Sequence, residues 1–243
     1  MDLKNKTALV TGSGIRLGRA FAIALAKEGV NVIIHYNNST EPAEETAQIA
    51  KSFNVNTMIL SANFNIIEEI DTVFPRILKH FPSVDILINN AAIYLKGSGL
   101  DTTREIWEKQ FRINLQAPFI LTQAFAAQLP QEHRGSILNI TDAQIIQQKS
   151  DHFAYRLTKQ ALVEMTRMFA LELAPWITVN ALGLGIMLPL AGKEGDDLTD
   201  YAQKNIPLNK TGSPEIAVEN ALHMIKSDFT TGAYLRVDGG QYL

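Results

Sequence analysis

Cysteine is absent from this 243-residue chain, which excludes disulfides, thiolate metal sites, iron–sulfur clusters and a cysteine nucleophile. No excess of one charge exists either. The 22 Lys+Arg against 25 Asp+Glu leave a net charge of -3, which gives no basic footprint for nucleic acid. No run approaches the roughly 18 apolar residues of a membrane span. The opening Met1-Asp2-Leu3-Lys4-Asn5-Lys6 lacks the apolar stretch and small-residue cleavage site of a signal peptide. His, Asp and Glu fall at no spacing that suggests a metal. What is present is apolar: 46% of the residues are hydrophobic, ample for a buried core and incompatible with a disordered tail. A soluble cytoplasmic enzyme is the expectation.

Short apolar runs alternate with longer segments of helical period, the pattern of a mostly parallel α/β sheet covered by helices on both faces. Seven strands are predicted: Thr7 to Val10, Asn31 to His35, Asn56 to Leu60, Asp85 to Asn89, Ser136 to Ile140, Ile177 to Ala181 and Tyr234 to Val237. The helices are Gly18 to Glu28, Glu41 to Ser52, Ile66 to His80, Arg104 to Gln128, Ala154 to Ala174 and Pro214 to Lys226. Between Tyr155 and Leu173, apolar residues at Leu157, Ala161, Leu162, Met165, Met168, Phe169 and Leu173 predict a stripe facing the sheet. With no repeat or composition break, residues 1–243 read as a single doubly wound domain. The polar, Gly-containing stretch 188–211 reads as a mobile lid over a cleft at the strand ends.

Directly after the first strand come Thr11-Gly12-Ser13-Gly14-Ile15-Arg16-Leu17-Gly18 and a helix. Small residues there let the turn tighten and bring backbone N–H groups to a diphosphate at the helix N-terminus, where the dipole favours negative charge. The alternative is a tight turn with no ligand. Arg16 is either a solvated first-turn residue or a cation placed to touch phosphate or a polar ligand. A carboxylate at the end of the second strand would hold the ribose 2'-hydroxyl of NAD and repel a 2'-phosphate. Here the chain reads His35-Tyr36-Asn37-Asn38-Ser39-Thr40, with no acid before Glu41, which favours NADPH unless the loop touches nothing.

Tyr155 and Lys159 stand four residues apart on a predicted helix, hence on one face. An ammonium near the phenol lowers its pKa and makes it a usable proton donor at neutral pH. Alone, the pair is common surface decoration. It gains meaning from Thr141-Asp142, which ends the fifth strand at the edge where ligands bind.

The glycine turn, Asn89-Asn90-Ala91, Asn114, Tyr155 with Lys159, Val179-Asn180-Ala181 and Val237-Asp238-Gly239-Gly240 together resemble the short-chain dehydrogenase/reductase family over nearly the whole chain. The resemblance implies a Rossmann domain binding NAD(P)(H), with Tyr155 as proton donor. It further implies that Lys159 bonds the nicotinamide ribose and tunes the tyrosine, that Asn114 holds a relay water, and that the enzyme is a homotetramer.

Two departures point to one branch. Arg16 stands where most members carry glycine, and Asp142 where they carry serine. A carboxyl can pass a proton as well as bond, which suits reduction of a ring C=N; the bland alternative is a substitution in a decayed site. The Arg-Leu-Gly ending of the turn, the His-Tyr-Asn-Asn-Ser loop and this Asp resemble pteridine reductases and the related dihydromonapterin reductases. That branch implies Arg16 on the pterin and the cofactor phosphate, and Asp142 with Tyr155 as the proton-delivery pair. Tyr94 stacks on the pterin in this reading, or is an ordinary cleft-wall aromatic. Other positions differ. Ala92 replaces a usual serine, Asn38 an Arg that meets the 2'-phosphate, Asn63 an Asp near the adenine, and Leu184 a proline before the cofactor contacts Gly185 and Met187. His152 reads as a loop residue; His35, Trp107 and Trp176 read as packing or cofactor-edge positions.

Three functions remain open: an NADPH-dependent pteridine reductase, a carbonyl reductase acting on a 3-oxoacyl thioester or a polyol, and a nucleotide-binding sensor without turnover.

Overall fold

The computed structural model describes residues 1–130 and 132–243. Seven strands form one sheet: β1 Thr7–Val10, β2 Asn31–Tyr36, β3 Thr57–Ser61, β4 Ile86–Asn89, β5 Gly135–Asp142, β6 Ile177–Leu184 and β7 Tyr234–Val237, in the order β3-β2-β1-β4-β5-β6-β7. Every pairing is parallel. The chain therefore builds outward from β1 to β3, returns to the other side of β1 and builds outward again. That reversal opens a crevice at the carboxyl ends of β1 and β4, where side connections diverge.

Period-two alternation in the strands divides the apolar residues between two cores, as expected for a sheet covered on both faces. Ala8, Val10, Val32, Ile34, Ile86, Ile88, Leu138 and Ile140 pack with α1 (Arg16–Lys27), α2 (Thr40–Lys51) and α9 (Pro214–Lys226). Leu9, Ile33, Leu87 and Ile137 pack on the opposite side with α3 (Ile67–Asp71), α4 (Val73–Ile77), α6 (Ala117–Gln128) and α7 (Phe153–Leu173). Each side chain of Leu or Ile size so enclosed contributes about 1.5–3 kcal/mol.

Three helices differ from expectation, each for a local reason. The predicted helix Ile66 to His80 is split into α3 and α4 around Thr72. Pro75 has no N–H to donate to the carbonyl four residues back and its ring crowds that carbonyl, so one continuous helix is disfavoured. The predicted helix Arg104 to Gln128 consists of α5 (Arg104–Phe111), a π-helical turn Arg112–Gln116, and α6. Pro118 likewise leaves the Asn114 carbonyl without its helical partner, and a widened turn absorbs the break. In α7 the buried face is rotated from the predicted stripe. Tyr155, Thr158, Lys159, Leu162, Thr166 and Ala170 are buried, whereas Met168 of the predicted stripe is 69% exposed. Polar residues enter this face because each finds a partner: Asn139 Nδ2 donates to Thr166 Oγ1 at 2.9 Å, and Thr158 Oγ1 donates to the Tyr155 carbonyl at 2.7 Å. The 188–211 stretch contains one short helix, α8 (Thr199–Asn205), anchored by buried Ala202.

His35, at the end of β2, links the sheet to the glycine turn. Its Nδ1 accepts from the Gly12 N–H at 3.0 Å and its Nε2 donates to the Ala62 carbonyl at 3.0 Å, an assignment required by those partners. The ring stacks on Phe64 with centroids 4.0 Å apart. Burial is the main cause that lowers its pKa from 6.5 to about 4. The unfolded chain thus binds this proton between about pH 6.5 and 4 while the native chain resists it, so stability falls as pH falls through that window. The expected loss is about 3 kcal/mol. A His35→Gln variant, followed by urea titration from pH 7 to pH 4, is expected to lose that component of the pH dependence; an unchanged slope contradicts it.

Candidate active site

The crevice is shaped first by the glycine turn. Gly12 has φ +63°, and a Cβ on Gly18 would stand 2.1 Å from the Gly12 carbonyl oxygen, so the start of α1 lies against the turn as only glycine permits. Asn90, just past β4, fastens it: Nδ2 donates to the carbonyls of Thr11 at 2.8 Å and Gly12 at 3.2 Å. Thr11 Oγ1 in return accepts the N–H groups of Asn90 and Ala91, both at 2.9 Å.

Over this turn lies a cavity of about 460 Å³. Gly12, Arg16, Leu17, Gly18, His35, Tyr36, Asn37, Asn38, Ser39, Asn63, Asn90, Ala91 and Ala92 all line it, beside Phe64, Ile93 and Ile113. No carboxylate is among its lining residues. Amide, hydroxyl and guanidinium donors around an open backbone turn fit a dinucleotide diphosphate and a phosphorylated ribose. His35 lines this cavity too, but both its ring nitrogens are engaged, so it supports the turn rather than offering a free donor.

Other expected cofactor contacts lie outside this cavity. Tyr155 and Lys159 belong to the buried face of α7 described below. Gly185 abuts Asp238, where a Cβ would meet Asp238 Cα at 2.8 Å, and Met187 lines a smaller cavity of about 120 Å³ with Ile206 and Gly212. Arg16 has φ +53° and its guanidinium turns to the 188–211 segment, donating to Glu194 Oε1 at 3.3 Å and to the Pro189 carbonyl.

At the end of β5 the chemistry is compact. Tyr155 Oη donates to Asp142 Oδ2 at 3.0 Å, directly from the first turn of α7 to the last residue of the strand. Asp142 also accepts from the Gln144 backbone N–H at 2.8 Å and from Gln144 Nε2 at 2.7 Å, while its own carbonyl accepts from Tyr234 Oη at 2.9 Å. Lys159 Nζ donates to the Ile140 carbonyl at 2.9 Å and lies 5.9 Å from the Tyr155 ring centroid.

This geometry corrects the expectation that Lys159 lowers the Tyr155 pKa. Burial, followed by the charge of Asp142 and the hydrogen bond to it, raises the phenol well above 10. Burial also lowers Lys159 to about 8, against the opposing pull of Asp142. The phenol is thus held protonated, with a carboxylate as its partner.

Asn114 is fully buried and braces the loop after β4: Oδ1 accepts from the Ile93 N–H and Nδ2 donates to the Ile93 carbonyl, both at 2.9 Å, and to Thr158 Oγ1 at 3.3 Å. Tyr94, 42% exposed, stacks on His152 with centroids 4.0 Å apart and meets Tyr155 edge-on at 4.6 Å. Sequence reasoning missed Gln144, Arg156 and Tyr234. The only signal for Arg156 was a charge between Tyr155 and Lys159; Gln144 and Tyr234 carried none.

Comparison with known proteins agrees with this architecture. The family model described as enoyl-(acyl carrier protein) reductase matches residues 12–241. The 3-oxoacyl-[acyl-carrier-protein] reductase FabG of Staphylococcus epidermidis is 31% identical over 98% of this chain and 100% of its own. The chain belongs to the short-chain dehydrogenase/reductase family. Among solved structures, FolM alternative dihydrofolate reductase 1 from Brucella canis, complexed with NADP, superimposes with TM-score 0.91 at 26% identity, covering 99% of this chain and 96% of that one. A blue fluorescent protein from a metagenomic library, in complex with NADPH, superimposes with TM-score 0.91 at 27% identity over the full length of both chains.

As a member of this family the protein is an NAD(P)H-dependent oxidoreductase, which sets aside the non-catalytic sensor. No helix among the described residues is long and apolar enough to cross a membrane. Because Gly18 meets backbone rather than a movable side chain, Gly18→Ala is expected to weaken NADPH binding at least about tenfold, or 1.4 kcal/mol. Fluorescence titration of NADPH checks this; an unchanged Kd in a folded variant contradicts it.

Proposed function

We propose that this oxidoreductase is an NADPH-dependent pteridine reductase that converts a dihydropterin to a tetrahydropterin by reducing a ring C=N bond. The observation that carries the reading is the 3.0 Å hydrogen bond from Tyr155 to Asp142 at the carboxyl end of β5. Either reduction must deliver one proton, to the carbonyl oxygen or to the ring nitrogen. Beside the phenol a carbonyl needs only a second hydrogen-bond donor, whereas an acid–phenol pair can hold and pass the proton to a ring nitrogen. The likeness to the FolM fold and the absence of a carboxylate from the cavity lining support the same reading.

When bound, NADPH supplies the hydride. Tyr155 and Asp142 together hold the proton destined for the ring nitrogen. Lys159 bonds the nicotinamide ribose, and Asn114 holds the water that returns a proton to the pair. Arg16 exchanges Glu194 and Pro189 for the pterin and a cofactor phosphate, and Gly185 and Met187 meet the nicotinamide end. Tyr94, whose ring already stacks on an imidazole, supplies a face for a flat nitrogen heterocycle. We extend the proposal to a homotetramer of single-domain subunits, residues 1–243, acting in the cytoplasm, with 188–211 closing over the substrate.

A second reading, reduction of a 3-oxoacyl thioester, is favoured by the 31% identity to FabG. Initial rates of NADPH oxidation with dihydrobiopterin, dihydromonapterin, dihydrofolate and a 3-oxoacyl thioester, measured side by side, separate the two. Turnover of a pterin is expected, with kcat reduced at least about 100-fold in Tyr155→Phe. Asp142→Ser is expected to lose pterin turnover while keeping or gaining ketone reduction. Consumption of the thioester alone rejects the pterin reading.

A further inference from the structure

Asp142 sits at the end of a polar chain that begins at Asp151, in the turn before α7. Arg156, next to Tyr155, is buried. Its Nε donates to the carbonyl and to Oδ1 of Asp151, both at 3.0 Å, and its Nη1 to the Gln144 carbonyl at 3.0 Å. Its Nη2 donates to Gln144 Oε1 at 3.0 Å. Gln144 Nε2 then donates to Asp142 Oδ2 at 2.7 Å, the same oxygen that receives the Tyr155 hydroxyl.

We infer that Gln144, locked by Arg156, is a positioning residue that sets which oxygen and which lone pair of Asp142 face Tyr155. The inference rests on the reading that Asp142 and Tyr155 form the proton-delivering pair. An amide is nearly symmetric in shape, and a half-turn of its terminal torsion exchanges donor for acceptor. With Oε1 toward Asp142, two acceptors would oppose each other and Arg156 would face an NH₂ group. A guanidinium has donors only, so Arg156 excludes that orientation and forces Nε2 onto the carboxylate. An sp² carboxylate oxygen has two lone-pair directions. On Oδ2 one is taken by Gln144 and the other is left for the phenol, while the Gln144 backbone N–H on Oδ1 stops the carboxylate from rotating. The polarity runs in one direction: guanidinium to amide oxygen, amide N–H to carboxylate oxygen, phenol to the same oxygen. The other titratable groups around Asp142 are Tyr94, Lys159, Tyr234 and Tyr242, and none of these takes the place of Gln144 on Oδ2.

The test compares Gln144→Leu, which keeps bulk and removes both polar ends, with Arg156→Met and Asp142→Asn. Wild type and variants are assayed with NADPH and dihydrobiopterin, and with the 3-oxoacyl thioester, across pH. Gln144→Leu is expected to lower kcat about tenfold or more and to alter its pH profile, with the Kd for NADPH within about twofold of wild type. In a crystal structure of this variant the Tyr155 to Asp142 separation is expected beyond about 3.5 Å, outside hydrogen-bond range. Gln144→Glu, which puts an acceptor against the carboxylate, is expected not to rescue. Should Arg156→Met fail to fold, Gln144→Leu decides alone. If Asp142→Asn is inactive while folded Gln144→Leu keeps wild-type kcat and pH profile, the positioning role is overturned and the proton pair stands. If Asp142→Asn turns over both substrates normally, the pair itself fails and the positioning role with it.

Discussion

A phenol on α7 and a carboxylate at the last residue of β5 share a hydrogen bond of 3.0 Å, and much of the surrounding architecture exists to keep the two in register. The phenol can reach the strand end only if α7 turns a partly polar face to the sheet. That face is tolerated because Lys159, Thr158 and Thr166 each have a backbone or side-chain partner. Burial of an unpaired polar group would cost about 1–3 kcal/mol, so the partners are what make this polar face compatible with a stable core. The same burial holds Tyr155 protonated and brings Lys159 to about 8, within reach of neutral pH.

A second constraint acts on the other side of β4. The glycine turn is held by backbone and side-chain bonds from two neighbouring strands: His35 from the end of β2, and Asn90 with Thr11 across the β1/β4 boundary. Both sets of bonds converge at the point where the strand order reverses, so the cavity is built by topology as much as by the turn itself. Asn114 ties this half to the catalytic half, because its side chain grips the loop after β4 on one side and Thr158 of α7 on the other. Its place in the widened π turn follows from Pro118, which removes the donor a regular helix would need. One backbone irregularity thereby joins cofactor crevice and proton-transfer face.

Much of this was legible beforehand, and the failures share a cause. All seven strands were found because buried parallel strands are short runs of Val, Ile and Leu with turn residues between them. Tyr155 and Lys159 were visible through spacing on a helix, and Asp142 through its place at a strand end. The stripe on α7 was misplaced because hydropathy counts Met168 as inward and Lys159 and Thr166 as outward, whereas hydrogen-bond partners elsewhere in the chain reverse that order. The influence of Lys159 on Tyr155 was misjudged for a related reason. Sequence spacing put the ammonium on the right face, yet its hydrogen bond goes to the Ile140 carbonyl, and burial and Asp142 set the phenol.

By itself the sequence determined the alternation of strands and helices, the glycine turn, the absence of an acid after β2 and the exchange of serine for Asp142, because each is set by residue type and short-range spacing. Tertiary structure alone decided which oxygen of Asp142 meets Tyr155, why Arg16 reaches Glu194 across 178 positions, and how Arg156 comes to govern Gln144. Those outcomes depend on the orientation of donors and acceptors brought together by β5, α7 and the late loop. Hydrogen bonds are directional over a few ångströms, a property that hydrophobic periodicity along a chain does not encode.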